Sequence, residues 1–106
     1  MNDKRSVRYL LGWLIAGTRG GLTRSKIIRS LRENPHNAHQ LATEMKMDYS
    51  TIRHHLEILC KNKLVVMIGE DYGRTYFLST VLEENYELFE GLSKRFGKKE
   101  KRKIKK

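Results

Sequence analysis

The stretch NAHQLATEMKMDYSTIRHHLEILCKNKLV, residues 37–65, decides the fold. Its first part opens with Asn37 and has Gln40 three residues later, which approximates a capping box and predicts a helix over 38–46. After a short turn, apolar residues recur at i, i+4, i+7 and i+8, which predicts a second helix over 49–62 with one buried face. The stretch therefore contains two short helices joined by a tight turn.

Regular elements are also predicted on both sides of this helix pair. Apolar residues at helical spacing predict helices, and two apolar runs on either side of the turn sequence GEDYG predict a β-hairpin. The predicted flanking elements are helices 4–16, 24–33 and 80–96 and strands 64–68 and 74–78. Thr23 is the predicted N-cap of the helix 24–33, and Arg24 is expected on the exposed surface of that helix.

This order of elements predicts a mainly α fold with a small β-hairpin, which is the α+β class. A tight helix pair followed by a hairpin is the order of a winged helix-turn-helix, here with additional N- and C-terminal helices. We expect one domain over residues 1–96, with its core at about 22–79. The remaining residues, 97–106, are expected to form a basic, disordered tail.

The charge of the chain points to a polyanionic partner. The net charge is +10, and the basic residues concentrate in 1–63 and 94–106, whereas 64–93 is acidic. A strongly basic small protein suggests DNA, RNA or an anionic membrane surface as its partner. The most apolar stretch, 9–16, is far shorter than the roughly 20 residues that span a bilayer, so no membrane partner is expected. With one cysteine and no visible secretory signal, a cytoplasmic, nucleoid-associated location is expected.

The second helix of the pair carries the predicted DNA-reading surface. A helix fits the major groove, and its N-terminal residues reach base edges there. Arg53 is the preferred residue for direct base reading, because arginine pairs bidentately with guanine. Ser50, Thr51 and Tyr49 suit phosphate contacts equally well, and His54 is expected to face the DNA. The alternative interpretation is an ordinary solvated helix face.

The central stretch resembles the helix-turn-helix of the ArsR-like winged-helix regulators, and is similar to an archaeal branch of that superfamily. The motifs that carry the resemblance are TRGG, RSKII, NAHQLA, DYSTIRHHL and YGRTYFL, at residues 18–21, 24–28, 37–42, 48–56 and 72–78. The resemblance covers about residues 17–80. It implies a dimeric regulator of double-stranded DNA whose recognition helix starts near Tyr49 and whose wing is formed by Arg74 and the turn before it.

The complete set of predicted DNA contacts combines the recognition helix, the helix before it and the wing at 69–74. These residues are Asn37, Tyr49, Ser50, Thr51, Arg53, His54, Lys61, Tyr72 and Arg74. Tail contacts to phosphate are expected from Lys98, Lys99, Lys101, Arg102 and Lys103. The tail has two open interpretations, a functional arm or a solubilising segment with general polyanion affinity.

A homodimer is expected to form through the first and last helices. Their large apolar side chains exceed what a domain of this size needs for its own core, although packing within the domain is the alternative. The predicted interface residues are Leu10, Trp13, Leu14, Leu82, Tyr86, Phe89 and Phe96.

No metal, cofactor or catalytic site is expected. Metal-sensing relatives carry a cysteine pair or acid and histidine ligands, whereas this chain has only Cys60, on the predicted buried stripe. A zinc site from His36, His39 and an acid is the less favoured alternative. Ser50 and Thr51 lie near His54 on one helix surface, which implies no pocket and no orienting carboxylate.

Two other function classes stay open at this point. The chain could be a general nucleic-acid or RNA- and ribosome-associated protein without base-specific readout, or a winged helix used for protein assembly. An RNA reader usually shows exposed aromatic platforms, for which only Tyr49 and Tyr72 are available.

Overall fold

The computed structural model describes residues 4–94, except for the side chain of Tyr72. Four helices precede a hairpin, and two short helices follow it. The elements are α1 (Lys4–Leu11), a π-helical continuation (Gly12–Ala16), α2 (Gly21–Glu33), α3 (Ala38–Met45), α4 (Tyr49–Lys61), β1 (Val65–Ile68), a 3₁₀ turn (Asp71–Gly73), β2 (Thr75–Leu78), α5 (Thr80–Glu84) and a last helix, α6, over 86–94. The α+β class and the winged helix-turn-helix arrangement are confirmed.

The hydrophobic core lies where the apolar stripes of the helices meet. Ile52, Leu56 and Leu59 form the buried face of α4, as their spacing predicts, and all three are inaccessible to solvent. Ile28 of α2 and Leu41 of α3 lie in the same cluster. Each such side chain contributes about 1.5–3 kcal/mol through burial, so this contact holds α4 against the helices before it.

The wing is an antiparallel hairpin tied to the rest of the domain by backbone hydrogen bonds. The register pairs Val65 with Leu78. At the turn, Gly69 has φ +100°, and a Cβ there would lie 2.3 Å from the carbonyl oxygen of Gly73, so only glycine fits. The amide of Tyr76 donates to the carbonyl of His36 over 2.8 Å, and the His36 amide donates back over 3.4 Å. This second pairing fixes β2 to the loop before α3.

The glycine-rich break between the first two helices, residues 17–20, is shorter than the gap 17–23 that the predicted helices leave. The second helix begins at Gly21 with Gly20 at the N-cap position, so the predicted start at residue 24 with Thr23 as its cap is wrong. Gly21 packs against the preceding segment so closely that a Cβ there would lie 1.8 Å from the carbonyl oxygen of Ile15. These glycines therefore allow a close approach of two helical segments.

The prediction that Arg24 lies on the surface is also wrong, because this side chain is only 4% exposed. Its Nε donates to the carbonyl of Leu14 over 3.0 Å, Nη2 donates to the Thr18 hydroxyl, and Nη1 lies 3.1 Å from Nδ1 of His55. Gly20 makes room for this network, since a Cβ there would lie 2.6 Å from both Arg24 and His55. The TRGG motif therefore has a structural role, because Thr18 and Gly20 surround the buried Arg24 side chain.

His55 connects this network to the recognition helix. For Nδ1 to accept from Arg24, the ring must be neutral with its proton on Nε2. The pKa of His55 lies below its ordinary value of 6.5 because of burial, with further lowering by the Arg24 and His54 charges. The neutral imidazole therefore links α2 to α4.

The first helix and the helices after the hairpin are less regular than predicted. The first helix covers the predicted span, but its second half, Gly12–Ala16, is π-helical. The predicted single helix over 80–96 is broken at Asn85, whose side chain donates to the Val81 carbonyl over 2.8 Å. At the start of α5, the Ser79 hydroxyl accepts from the Leu82 amide over 3.2 Å.

The predicted dimer residues divide into buried and exposed groups. Leu14, Leu82 and Phe89 lie in the core of their own chain, which corrects the expectation that they form an exposed surface. Leu10 and Tyr86 are partly buried, and Trp13 is 61% exposed. Phe96 lies outside the described residues. Within residues 4–94, no helix is long and apolar enough to cross a membrane.

Gly21→Ala is expected to destabilise the fold by about 1–3 kcal/mol, the usual range for overpacking, because its Cβ would collide with the Ile15 carbonyl. Denaturant unfolding measures this loss. Gly91→Ala is the matched control, since no described atom beyond its own helix lies within 4 Å of the added Cβ. There, alanine should be neutral or stabilising. Equal effects at the two glycines would contradict this account of the break.

Stability is expected to fall as the pH drops below about 6.5, the ordinary histidine pKa. The unfolded chain takes up a proton at His55 in that range, whereas the folded chain resists protonation because the pKa of His55 is lowered. The unfolded state therefore binds more protons and gains free energy relative to the folded state. Denaturant unfolding at pH 7.5 and 5.5 measures the loss.

His55→Gln is the control for this pH dependence, because the amide oxygen can still accept from Arg24 but does not titrate. The variant should lose less stability than the natural chain over the same pH range. An identical pH dependence in the two proteins would assign the effect to other groups.

Candidate nucleic-acid interface

The two helices of the helix-turn-helix are fixed at their starts and at the turn between them. The capping box before α3 is confirmed: the Gln40 amide donates to Oδ1 of Asn37 over 2.7 Å, and the Asn37 amide donates to Oε1 of Gln40 over 2.8 Å. The helix ends at Met45, and the next residue, Lys46, adopts a left-handed conformation with φ 56°. The amide of Met47 closes the turn by donating to Ala42 over 3.0 Å.

Asn37 therefore has a structural role at this site. Its side-chain oxygen is occupied by the capping bond, so its predicted contact with DNA falls to the Nδ2 amino group. At α4, Asp48 occupies the N-cap position without a side-chain capping bond. The first amides of α4 are consequently free of a side-chain cap, and an anion can be accepted there.

The outer face of α4 presents polar side chains to solvent near its start. Ser50 and His54 are exposed and Thr51 is half-buried, which agrees with their predicted placement away from the core. Lys61 is exposed at the other end of the helix. Their proposed contacts with DNA stay predictions.

Arg53 is held along the surface of its own helix. Its Nη1 donates to the Tyr49 hydroxyl over 3.0 Å, and its Nη2 lies 3.6 Å from Oε2 of Glu57. The hydrogen bond to Tyr49 is the main cause that raises the pKa of Arg53 above its ordinary value. The Tyr49 ring in turn stacks on His39 with 4.1 Å between the ring centroids. A chain of contacts thus orients the guanidinium.

A cleft of about 570 Å³ lies between the start of α3, the recognition helix and the wing. It brings together four of the predicted DNA-contacting residues, and includes four that were not predicted to contact DNA. Its lining residues are Asn37, Ala38, His39, Tyr49, Arg53, Asp71, Arg74 and Tyr76. Ser50, Thr51, His54 and Lys61 lie outside this lining, and the side chain of Tyr72 and the tail residues Lys98, Lys99, Lys101, Arg102 and Lys103 lie outside the described part of the chain.

The unpredicted members of the lining depend on tertiary pairing. Tyr76 reaches the cleft because β2 pairs with His36, and Asp71 does so because the 3₁₀ turn places it there with φ 50°. No local pattern indicates either contact. The stacking of His39 on Tyr49 has a weak sequence signal, because both residues lie in the first turns of consecutive short helices.

The histidine and cysteine side chains have separate surroundings. His36 Nδ1 lies 2.6 Å from the Asn34 carbonyl, and Nε2 lies 3.2 Å from Glu44. Burial is the main cause that raises the pKa of the half-buried Cys60 thiol. Within residues 4–94, no three histidine, cysteine or acidic side chains converge in a way that could hold a metal ion. The zinc alternative from His36 and His39 therefore gains no support from this geometry.

Comparison with known proteins agrees with the fold. Residues 22–65 match the family described as "Bacterial regulatory protein, arsR family". The solved structure of HlyU from Vibrio cholerae N16961 is similar, with a TM-score of 0.59 and 20% sequence identity. The similarity covers 85% of this chain and 89% of the HlyU chain. Among curated proteins, none matches the sequence significantly.

These findings support a DNA-binding transcriptional regulator. The region that matches the family includes α3, α4 and most of α2. The described part of this chain thus has the winged helix-turn-helix fold, and its residues 22–65 match a family of bacterial regulatory proteins, the arsR family.

Proposed function

We propose that this chain is a sequence-specific regulator of transcription that binds double-stranded DNA as a homodimer. The observation that carries the proposal is the exposed start of α4, where Ser50 and His54 are open to solvent beside a cleft that contains Arg53 and Arg74. In this function α4 enters the major groove, and the wing over 69–74 lies on the backbone or in the minor groove.

The chemistry of this surface suits duplex DNA. Hydroxyl and imidazole groups can donate and accept hydrogen bonds at base edges, and the arginines and Lys61 can neutralise phosphates. The net charge of +10 favours rapid association with a polyanion. No catalytic step and no cofactor enter this function. We place its action in the cytoplasm, on nucleoid DNA. The sequence motifs at residues 18–21, 24–28, 37–42, 48–56 and 72–78 favour an archaeal branch of ArsR-like regulators.

The dimer is proposed to form through the exposed part of the first helix. Tyr9 is 82% exposed and Trp13, one turn later, is 61% exposed. Leu10 and Tyr86 are partly buried beside the core and can extend this surface. A two-fold dimer would place two recognition helices about 34 Å apart, one turn of DNA, and would require a near-palindromic site.

The alternative is a general nucleic-acid or RNA- and ribosome-associated protein without base-specific readout. The basic balance of the chain is compatible with it. This alternative needs exposed aromatic rings on which RNA bases can stack. However, the Tyr49 ring already stacks on His39, and its hydroxyl accepts a hydrogen bond from Arg53, so one of the two available rings is already in use. The first test below separates this alternative from the preferred function.

Selection from a random duplex library at about 150 mM salt should enrich a near-palindrome, because phosphate-only binding is weak at that ionic strength. The double variant Ser50→Ala/His54→Ala should bind the selected site more weakly and relax its base preference at defined positions. Thr43→Ala, an exposed polar residue on α3, is the control and should leave the preference unchanged. Binding without enrichment that vanishes as salt rises would favour the alternative.

Sedimentation of the full chain at micromolar concentration should show a dimer. Tyr9→Glu/Trp13→Glu should shift it to a monomer, because two charges would have to be buried in the interface. Both side chains are exposed, so the melting temperature of the folded monomer unit should change little. Arg8→Ala, exposed on the same helix, should remain dimeric. A natural chain that sediments only as a monomer would refute the proposed dimer.

A further inference from the structure

We propose that the cleft between α3, α4 and the wing is a clamp for one phosphate of the DNA backbone, closed by the guanidinium groups of Arg53 and Arg74. This inference rests on the proposed function. It gives Arg53 the role of a backbone contact and leaves base reading to the exposed side chains of α4.

The first observation is the incomplete bonding of Arg53. Its two terminal nitrogens face Tyr49 and Glu57, but its Nε is buried and has no hydrogen-bond partner among the described residues. The side chain as a whole keeps 31% of its surface exposed. A buried N–H without an acceptor is unfavourable, so a small rotation of the side chain that turns Nε toward an incoming oxygen would be favoured.

Arg74, which also lines the cleft, has the same deficit. Its Nε is also buried without a partner, and its guanidinium makes no ion pair or hydrogen bond with the part of the chain that the structure describes. Arg74 immediately precedes β2, which is fixed by the pairing of Tyr76 with His36. Two arginines with unused donors therefore line one cleft from two different elements.

The two guanidiniums share Tyr76 as a neighbour in the cleft lining. Burial raises the pKa of Tyr76, whereas the nearby charges of Arg53 and Arg74 act in the opposite direction. Both cations are thus close enough to the Tyr76 phenol to act on it electrostatically. A single oxyanion at this point can accept from both guanidiniums, whose planar donor geometry suits phosphate.

The remaining lining supports an anion, with one exception. The eight-residue helix α3 begins at Ala38, and Ala38 and His39 line the cleft, so the positive end of its dipole adds to the arginines. Asp71 is the one carboxylate in the lining and opposes an anion. Replacing Asp71 with a neutral residue should therefore strengthen anion binding, which is the opposite of replacing either arginine.

The clamp would also affect which side chains recognise the DNA bases. Arg53 is retained at the cleft by Tyr49 and Glu57, whereas Ser50 and His54 are free to reach base edges. Phosphate contacts fix the orientation of a protein on the duplex but carry no sequence information directly. Holding one phosphate between α4 and the wing would set the depth and register at which those side chains meet the bases.

The test measures affinity for the selected duplex as a function of salt concentration, for Arg53→Gln, Arg74→Gln and the double variant. Each single variant should weaken binding about tenfold on every duplex sequence and lower the salt slope of the dimer by about two, one for each half-site. Arg8→Gln, an exposed arginine on α1, should leave the salt slope unchanged. Arg53→Lys retains the charge without the bidentate donors and should lie between the natural chain and Arg53→Gln.

The second part of the test locates the phosphate. Neutral methylphosphonate linkages are placed at each position in turn, symmetrically in both half-sites. One such position should weaken the natural chain about as much as the arginine variants do, with no further loss in the double variant. Asp71→Asn should strengthen binding several-fold, and asparagine also tolerates the positive φ of 50° found there.

Three results would overturn the clamp but leave the proposed function intact. If Arg53→Gln relaxes base preference at defined positions without changing the salt slope, Arg53 is a base reader. If no methylphosphonate position couples to the arginines although the chain still selects its site, the clamp is wrong and the proposed function survives. If inorganic phosphate raises the melting temperature of the free protein through these arginines while neither arginine variant weakens DNA binding, the cleft takes a free phosphorylated ligand instead. Failure to select any duplex would contradict the proposed function itself, and the clamp with it.

Discussion

The buried guanidinium of Arg24 is the interaction on which the rest of the domain depends. It reaches three separate segments: the carbonyl of Leu14, the hydroxyl of Thr18 and the imidazole of His55. Burial lowers the pKa of Arg24, which shows the cost of placing a cation there. Neutral acceptors offset that cost, and removing one of them would leave a buried donor unpaired. The network therefore fixes the recognition helix relative to the first helix and the glycine-rich turn.

The wing is held in position by backbone hydrogen bonds instead of a buried side chain. Backbone pairing of Tyr76 with His36 fastens β2 to the loop that leads into α3, and the capping box at Asn37 then sets where α3 begins. With α4 held by the core and by His55, the three walls of the cleft are fixed relative to one another. A site built on such elements needs little rearrangement to receive a ligand, which reduces the entropic cost of binding.

Local sequence signals predicted the helix-turn-helix well. Periodicity and the capping box gave 38–46 and 49–62, compared with Ala38–Met45 and Tyr49–Lys61 in the structure. The hairpin strands were each predicted within one residue of their bounds. These elements are short and amphipathic, so their apolar spacing and their caps carry most of the information.

Features that depend on contacts between distant residues could not be predicted in the same way. Arg24 resembles any basic residue on a helix surface until the glycines and His55 are brought beside it. At the site, the spacing of Tyr49, Arg53 and Glu57 at four-residue intervals is visible in the sequence and favours mutual contact. The sequence does not show that the wing brings Arg74 to the same cleft, because that depends on the pairing of β2 with the loop before α3.

The most direct test of this account is a ¹H–¹⁵N correlation spectrum of the full chain with and without its selected duplex, including the arginine Nε–Hε signals. The account predicts large changes for the backbone amides at 37–39, 50–54 and 71–74 and for the Nε–Hε groups of Arg53 and Arg74. The Nε–Hε signal of Arg24, which is bonded to the Leu14 carbonyl, should stay in place. Changes confined to residues outside α3, α4 and the wing would contradict the assignment of this face as the DNA-binding surface.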